Sequence, residues 1–465
     1  MVRHRPPVGD GPSDWMDGSL SRMAQAARPQ SYFLRSFGCQ MNEHDSERIA
    51  GLLEEMGLTR AGTPEDADLL VYNTCSIREK ADTRLAGHLS TAARLKKERP
   101  SRLVAVAGCL AQSRRDEFFG DFPFVDVLVG PQSLHELPAL LEQRLAEGRR
   151  TGAYAESTTC WSADLPRRRV DGPCAWVQIV AGCSNYCTYC IVPSVRGPEA
   201  SRPAADVISE VAGLAGAGVR EITFLGQNVN AYGKEPGFPG RETFAGLLRA
   251  ACGVEGIERI RFMTSHPKDM SPELIEVIGG ANQVCEHVHL PAQSGSDHIL
   301  AAMSRRYDRA AYRDLVARLR RAAPDLTLTT DIIVGFPGET EEDFRQTLAL
   351  VEECRYDSAF TFIYSPRRGT GAAVLPGRLP AGVAEDRMTR LVDLVQRLGR
   401  ERNEAMVGRT EEVLVERASR HAAGEVMGRT RGHKPVNFPS AAQPGDLVRV
   451  ELLEATSTSF RGREA

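Results

Sequence analysis

Three cysteines within eight residues, Cys183-Ser184-Asn185-Tyr186-Cys187-Thr188-Tyr189-Cys190, form the densest concentration of reactive side chains in the chain. Thiolates are the usual ligands of iron–sulfur clusters, and a single loop with this spacing wraps one cluster. With three protein ligands, a fourth iron stays open to an exchangeable molecule. That separates a catalytic metal site from a closed structural one. The competing readings are a zinc knuckle and three unrelated buried thiols. A knuckle wants a fourth Cys or His close by, and residues 191–200 contain neither. Spacing therefore favours the cluster.

A second set is dispersed. Cys39, Cys75 and Cys109 lie in the segments FGCQMN, NTCSIR and AGCLAQ. Each follows an expected strand and precedes an expected helix, whose amino-terminal dipole favours thiolate over thiol. Spacing alone leaves two possibilities open: three buried structural thiols, or three ligands gathered at one sheet edge. Cys160, Cys174, Cys252, Cys285 and Cys354 have no partner spacing and read as core or surface thiols.

These loops need strands to carry them. Residues 32–37, 68–73, 102–107 and 125–129 read as strands, with helices over 43–56 and 77–97. Short apolar runs joined by helical crossovers predict a parallel sheet covered on both faces, a small doubly wound α/β domain. Residues 149–168 read as a linker. A second series follows, with strands at 176–180, 221–225, 259–262, 287–290, 326–334 and 359–362 and helices at 204–217, 272–278, 308–323 and 341–353. Six βα units predict a partial TIM-like barrel, with Cys183–Cys190 in the loop after its first strand, where barrels place their chemistry. In the tail, strands at 413–416, 424–428 and 447–453 predict a small all-β barrel.

The chain has 465 residues and a net charge of −3. No global basic field marks it as a nucleic-acid binder, so an RNA surface must be local. Residues 405–465 carry nine Lys and Arg against eight Asp and Glu, which is weak electrostatics for such a role. No apolar run reaches the roughly 18 residues of a membrane span. Residues 1–28 lack the apolar core of a signal peptide and read as a disordered leader. Eleven cysteines in a long chain point to metal or catalytic use rather than to a disulfide scaffold, and the expected location is the cytoplasm.

The Cys183–Cys190 loop resembles the radical S-adenosylmethionine (SAM) superfamily. That resemblance implies a [4Fe–4S] cluster on Cys183, Cys187 and Cys190, the catalytic ligands, whose open iron chelates SAM and generates a 5′-deoxyadenosyl radical. Together with the Cys39, Cys75 and Cys109 segments it resembles the methylthiotransferase family, over about residues 31–463. This implies a second [4Fe–4S] cluster on those three cysteines, concerned with the inserted sulfur. The segments at 225–233 (LGQNVNAYG), 264–267 (TSHP), 289–296 (HLPAQSGS), 428–430 (GRT) and 436–438 (VNF) are similar to the branch that modifies isopentenyladenosine beside the anticodon of tRNA. The alternatives are the branch acting on an aspartate of a ribosomal protein, and a non-catalytic iron–sulfur RNA-binding protein. Residues 331–340 (DIIVGFPGET) and 364–366 (YSP) are similar to both enzymatic branches. Ala181, Ala292 and the RGTG of 368–371 depart from the family pattern and bear on pocket shape.

The resemblance implies 29–148 as the cluster-bearing α/β domain, 169–404 as the radical SAM core and 405–465 as a TRAM-like RNA-binding barrel. It also implies tRNA as partner, an electron donor such as flavodoxin or ferredoxin, an unidentified sulfur source and a monomeric enzyme. Polar residues and glycines at strand ends suit ligand approach, which makes Gln293, Ser294 and Asp331 candidate SAM contacts and places Gln227 and Asn228 at the same rim. His266 reads as structural or substrate-facing. Arg167–169, Arg305, Arg306 and Arg367, Arg368 read as solvated faces that could grip phosphates, with Tyr307 available to stack on a base.

Overall fold

The structure, a computed structural model, describes residues 28–75, 79–156, 166, 172–238, 240, 242–420 and 422–465. The leader up to residue 27, Cys160 and Arg167, Arg168 and Arg169 lie outside the described residues.

The first sheet has six parallel strands: β1 (Ser31–Ser36), β2 (Thr59–Arg60), β3 (Leu69–Thr74), β4 (Leu103–Gly108), β5 (Val127–Val129) and β6 (Thr151–Ala153), in the order β2-β1-β3-β4-β5-β6. Both central strands, β3 and β4, are buried along their whole length. Alternation along β3 explains the two-faced core. Leu69 and Val71 enter one hydrophobic cluster, while Leu70 and Tyr72 enter the other. The chain leaves β1 towards one side and returns to β3 on the other, so the topological switch point lies between them. Cys39 follows β1 and Cys75 follows β3, which puts both at that switch. Sequence assigned 149–168 to a linker, but Thr151–Ala153 pairs with β5 and completes the sheet.

The next unit contains β7 (Cys174–Gln178), the antiparallel pair β8 (Val180–Ala181) and β9 (Ala200–Ser201), then β10 (Glu221–Leu225), β11 (Arg259–Phe262), β12 (His287–His289), β13 (Thr327–Val334) and β14 (Ser358–Ile363). Apart from β8 and β9, the strands form two parallel triplets, β7-β10-β11 and β12-β13-β14. Ile260 joins the triplets: its N–H donates to Gln283 O at 2.7 Å and its carbonyl accepts from Cys285 N–H at 3.0 Å. The result is a sequential six-stranded partial barrel around one large apolar cluster. A long helix, Ala381–Glu404, packs on β14 through Leu391, Leu394, Val395 and Leu398.

The tail is a closed barrel in the order β15-β16-β17-β19-β18, from β15 (Thr410–Ala418), β16 (Glu425–Thr430), β17 (Pro435–Pro439), β18 (Leu447–Ala455) and β19 (Phe460–Glu464). It docks on the amino-terminal ends of the partial-barrel strands. Arg259 donates to Arg429 O and Glu412 O, and Arg261 to Thr430 O and Arg431 O. Arg431 grips Glu286 with two bonds, and Lys434 bonds Asp357 at 2.7 Å. Among the described residues, no helix is long and apolar enough to cross a membrane.

Candidate functional site

The Cys183–Cys190 loop leaves the carboxyl end of β7, and the β8–β9 pair closes its base. Gly182 makes that closure possible. Its φ is +71°, and a Cβ there would stand 2.0 Å from Pro198 O. Cys183 N–H donates to Gly197 O at 3.1 Å, and Cys190 N–H to Cys187 O at 2.9 Å. The far side is pinned by Thr188, whose N–H donates to Met303 O and whose carbonyl accepts from Ala372 N–H. Arg305 lies buried behind the loop. Its Nη1 donates to Cys187 Sγ at 3.5 Å, its Nη2 to Pro291 O and its Nε to the Tyr307 hydroxyl. Burial pushes the Cys190 thiol up to about 12 and also raises Cys183, so both stay protonated thiols until metal takes the proton's place.

Cys39, Cys75 and Cys109 are brought together at the carboxyl edge of the first sheet. Gly38 and Gly108 precede two of them with φ of +145° and +94°, and a Cβ on either would collide with the neighbouring strand end: Cys75 Cβ at 2.6 Å for Gly38, Thr74 O at 2.4 Å for Gly108. Close backbone approach thus builds this triad as it builds the other. A hydrogen bond with Cys75, aided by the charge of Arg196, draws Cys39 down to about 6 against the effect of burial. Burial raises Cys109, against the lowering effect of the nearby positive charge of Arg196. The short helix Val192–Arg196 begins two residues after Cys190 and packs Ile191 and Val195 on Cys109. One helix therefore lies between the two triads.

Among the described residues, no three His, Cys, Asp or Glu side chains converge closely enough to hold one metal ion. Thiolates that each take a different iron of a cluster need no such convergence. Two thiol triads, each cradled by glycines and each facing one buried guanidinium, fit such clusters.

Around the rim, several buried polar atoms have no partner: Gln227 Oε1, Asn228 Oδ1, Ser265 Oγ and Gln293 Oε1. They follow β10, β11 and β12 in turn. Thr264 and Gln293 adopt φ of +70° and +66° without being glycine, a strained backbone of the kind that gathers at ligand sites. Unbonded buried acceptors on strained turns fit a polar ligand such as SAM. Asp331 is half-buried with His289 Nε2 3.4 Å away. Ser294 is differently placed: its hydroxyl meets Thr347 Oγ1 at 3.3 Å and accepts from Ser296 N–H, bonds that hold the loop.

One sequence expectation changes and another is narrowed. Arg305 and Tyr307 are not a solvated gripping face, because Tyr307 donates to the Pro291 and Ala292 carbonyls inside the rim. His266 is structural: its Nδ1 accepts from Lys268 N–H, and burial with Arg305 nearby lowers it to about 2, so it stays neutral. Arg196 carried no signal in the sequence beyond its nearness to Cys190. Ser265 was equally silent, whereas Arg305 was noticed but given a solvated role.

Three family profiles match: Uncharacterized protein family UPF0004 over 31–130, the Radical SAM superfamily over 177–351 and the TRAM domain over 404–463. The tRNA-2-methylthio-N(6)-dimethylallyladenosine synthase of Moorella thermoacetica is 46% identical over 93% of this chain and 98% of its own. The enzyme of the same name from Clostridium botulinum is 43% identical over 93% and 96%. The solved radical S-adenosylmethionine methyltransferase TsrM of Kitasatospora setae shares the fold, with a TM-score of 0.54, 14% identity and coverage of 74% of this chain and 77% of that one. By this identity and coverage the chain belongs to the tRNA-2-methylthio-N(6)-dimethylallyladenosine synthase family of radical SAM methylthiotransferases.

Proposed function

We propose that this enzyme transfers a methylthio group to carbon 2 of N6-isopentenyladenosine next to the anticodon of tRNA, with SAM as methyl donor and as radical source. The observation that most supports it is the pair of thiol triads on either side of the helix Val192–Arg196. A cluster on Cys183, Cys187 and Cys190 would supply, with SAM, the 5′-deoxyadenosyl radical that carbon 2 requires, since its hydrogen is not acidic enough for a general base. A second [4Fe–4S] cluster on Cys39, Cys75 and Cys109 would hold the sulfur within reach. Gln293 and Asp331 orient SAM at the rim, while the Thr188 bonds and Arg305 keep the loop in place. The neutral His266 fixes the turn beneath the opening. Residues 29–148 serve the sulfur, 169–404 the radical step and 405–465 RNA contact. A cytoplasmic monomer reduced by flavodoxin or ferredoxin completes the reading.

Mass spectrometry of tRNA nucleosides from cells with and without the gene tests it. Loss of the 2-methylthio nucleoside with accumulation of its isopentenyl precursor is expected, reversed by the native gene and not by Cys39→Ala or Cys187→Ala. An unchanged nucleoside profile would sink the reading and direct attention to an unmodified ribosomal aspartate.

A further inference from the structure

The helix Val192–Arg196 ends in a buried arginine that belongs to one triad by sequence and bonds into the domain that carries the other. Arg196 follows Cys190 by six residues, yet its Nη2 donates to Asp45 Oδ2 at 2.6 Å across the domain boundary. Its carbonyl accepts from Gln132 Nε2, and Gly197 beside it has φ of +72° with Glu156 O 2.5 Å from where a Cβ would stand. Both residues are nearly inaccessible, Arg196 at 6% and Asp45 at 2% exposure. A guanidinium has five donors and cannot shed its charge. The Asp45 bond uses one of them, and the helix that ends in Arg196 packs on Cys109 through Val195.

We propose that Arg196 is the positioning residue of the amino-terminal cluster, giving it a fixed positive charge while tying it to the radical loop. The proposal rests on the second cluster being present on Cys39, Cys75 and Cys109. A fixed positive charge beside a cluster stabilises the more negative, reduced state and raises its potential, whereas a nearby carboxylate lowers it. Arg196 and Asp45 therefore act on the cluster with opposite signs.

The experiment uses the full chain with Cys183, Cys187 and Cys190 changed to Ala, so that only the amino-terminal cluster remains. Iron and sulfide content are measured first, then the midpoint potential by EPR-monitored titration. Arg196→Met is expected to lower the potential, Arg196→Lys to lower it less, and Asp45→Asn to raise it. In the mirror background, with Cys39, Cys75 and Cys109 changed to Ala, the radical-loop cluster is expected to shift far less. If Arg196→Met holds no cluster, Arg196→Lys and Asp45→Asn decide. Shifts of one sign, or none, overturn the role of Arg196 while leaving the second cluster standing. Absence of iron in the background that retains Arg196 and Asp45 removes the second cluster and the proposal with it.

Discussion

Gly182→Ala should open the radical loop without unfolding the protein. A Cβ at this position would lie 2.0 Å from Pro198 O and 2.5 Å from Gly197 O, where ordinary contact begins at 3.4 Å. Both obstacles are backbone, so neither can rotate aside. Gly197 O is also the acceptor for Cys183 N–H, so the first displacement falls on a ligand residue. A left-handed backbone costs an L-residue roughly 1–2 kcal/mol, and forcing a methyl into closed packing adds roughly 1–3 kcal/mol. The combined strain is about 2–5 kcal/mol, below the ~5–15 kcal/mol that holds a typical domain together. At ~1.4 kcal/mol per factor of ten, even the lower figure disfavours the closed loop more than tenfold. The assay is iron content and 5′-deoxyadenosine formation from SAM, in the background where Cys39, Cys75 and Cys109 are Ala. Both should fall about tenfold or more. Gly213→Ala is the control: it lies in the helix Ala204–Gly216 with nothing within 4 Å of its Cβ, so it should keep full iron and gain roughly 0.5–1 kcal/mol. Native iron content and SAM cleavage in Gly182→Ala would refute the idea that the β8–β9 base shapes the loop.

Gln293→Ala removes an acceptor that no protein group uses, so stability should move by less than about 0.5 kcal/mol. SAM affinity, by equilibrium dialysis, should fall about tenfold, the worth of one ligand hydrogen bond; unchanged affinity would place Gln293 outside the SAM site. Arg261→Met leaves Glu221 without its 2.9 Å partner and deletes two bonds to the tail, a loss of roughly 3–5 kcal/mol. Limited proteolysis should then cut near residue 408, and a protected junction would count against the docking. His287 and His433 stack with ring centroids 5.0 Å apart, and burial keeps both neutral, well below 6.5. The unfolded chain takes up protons that the folded one refuses, so stability should decline as pH falls below about 6.5. Thermal unfolding between pH 7.5 and 5.5 should show this slope, and His287→Phe should reduce it.

The contiguous triad could be read from sequence because its ligands share one loop. The dispersed triad needed strand ends at Cys39, Cys75 and Cys109, and the short apolar runs that mark those strands are visible. The switch point between β1 and β3 depends on strand order, which local pattern does not contain. Some misses had a signal. Leu391, Leu394, Val395 and Leu398 keep helical spacing along Ala381–Glu404. β17 is bracketed by Pro435 and Pro439, and only Phe460 and Gly462 of β19 turn inward, so both strands read as loop.

Among the arginines, Arg305 was read as solvated and is buried, and the reading had a physical reason. A basic cluster is read as solvated because an isolated buried charge is prohibitively costly. Arg196, Arg259, Arg261 and Arg305 are buried nonetheless, and each is surrounded by acceptors from distant segments. For Arg196 that acceptor, Asp45, is 151 positions away. The tail shows the converse. GRT at 428–430 is similar to the tRNA branch, and its contacts are structural: a Cβ on Gly428 would strike Leu414 O at 2.3 Å, and Thr430 O receives Arg261. These residues close the tail barrel and dock it on the end opposite the cysteine loop. A motif shared with a family marks a constraint, and only the partner atoms reveal whether it is chemistry or docking.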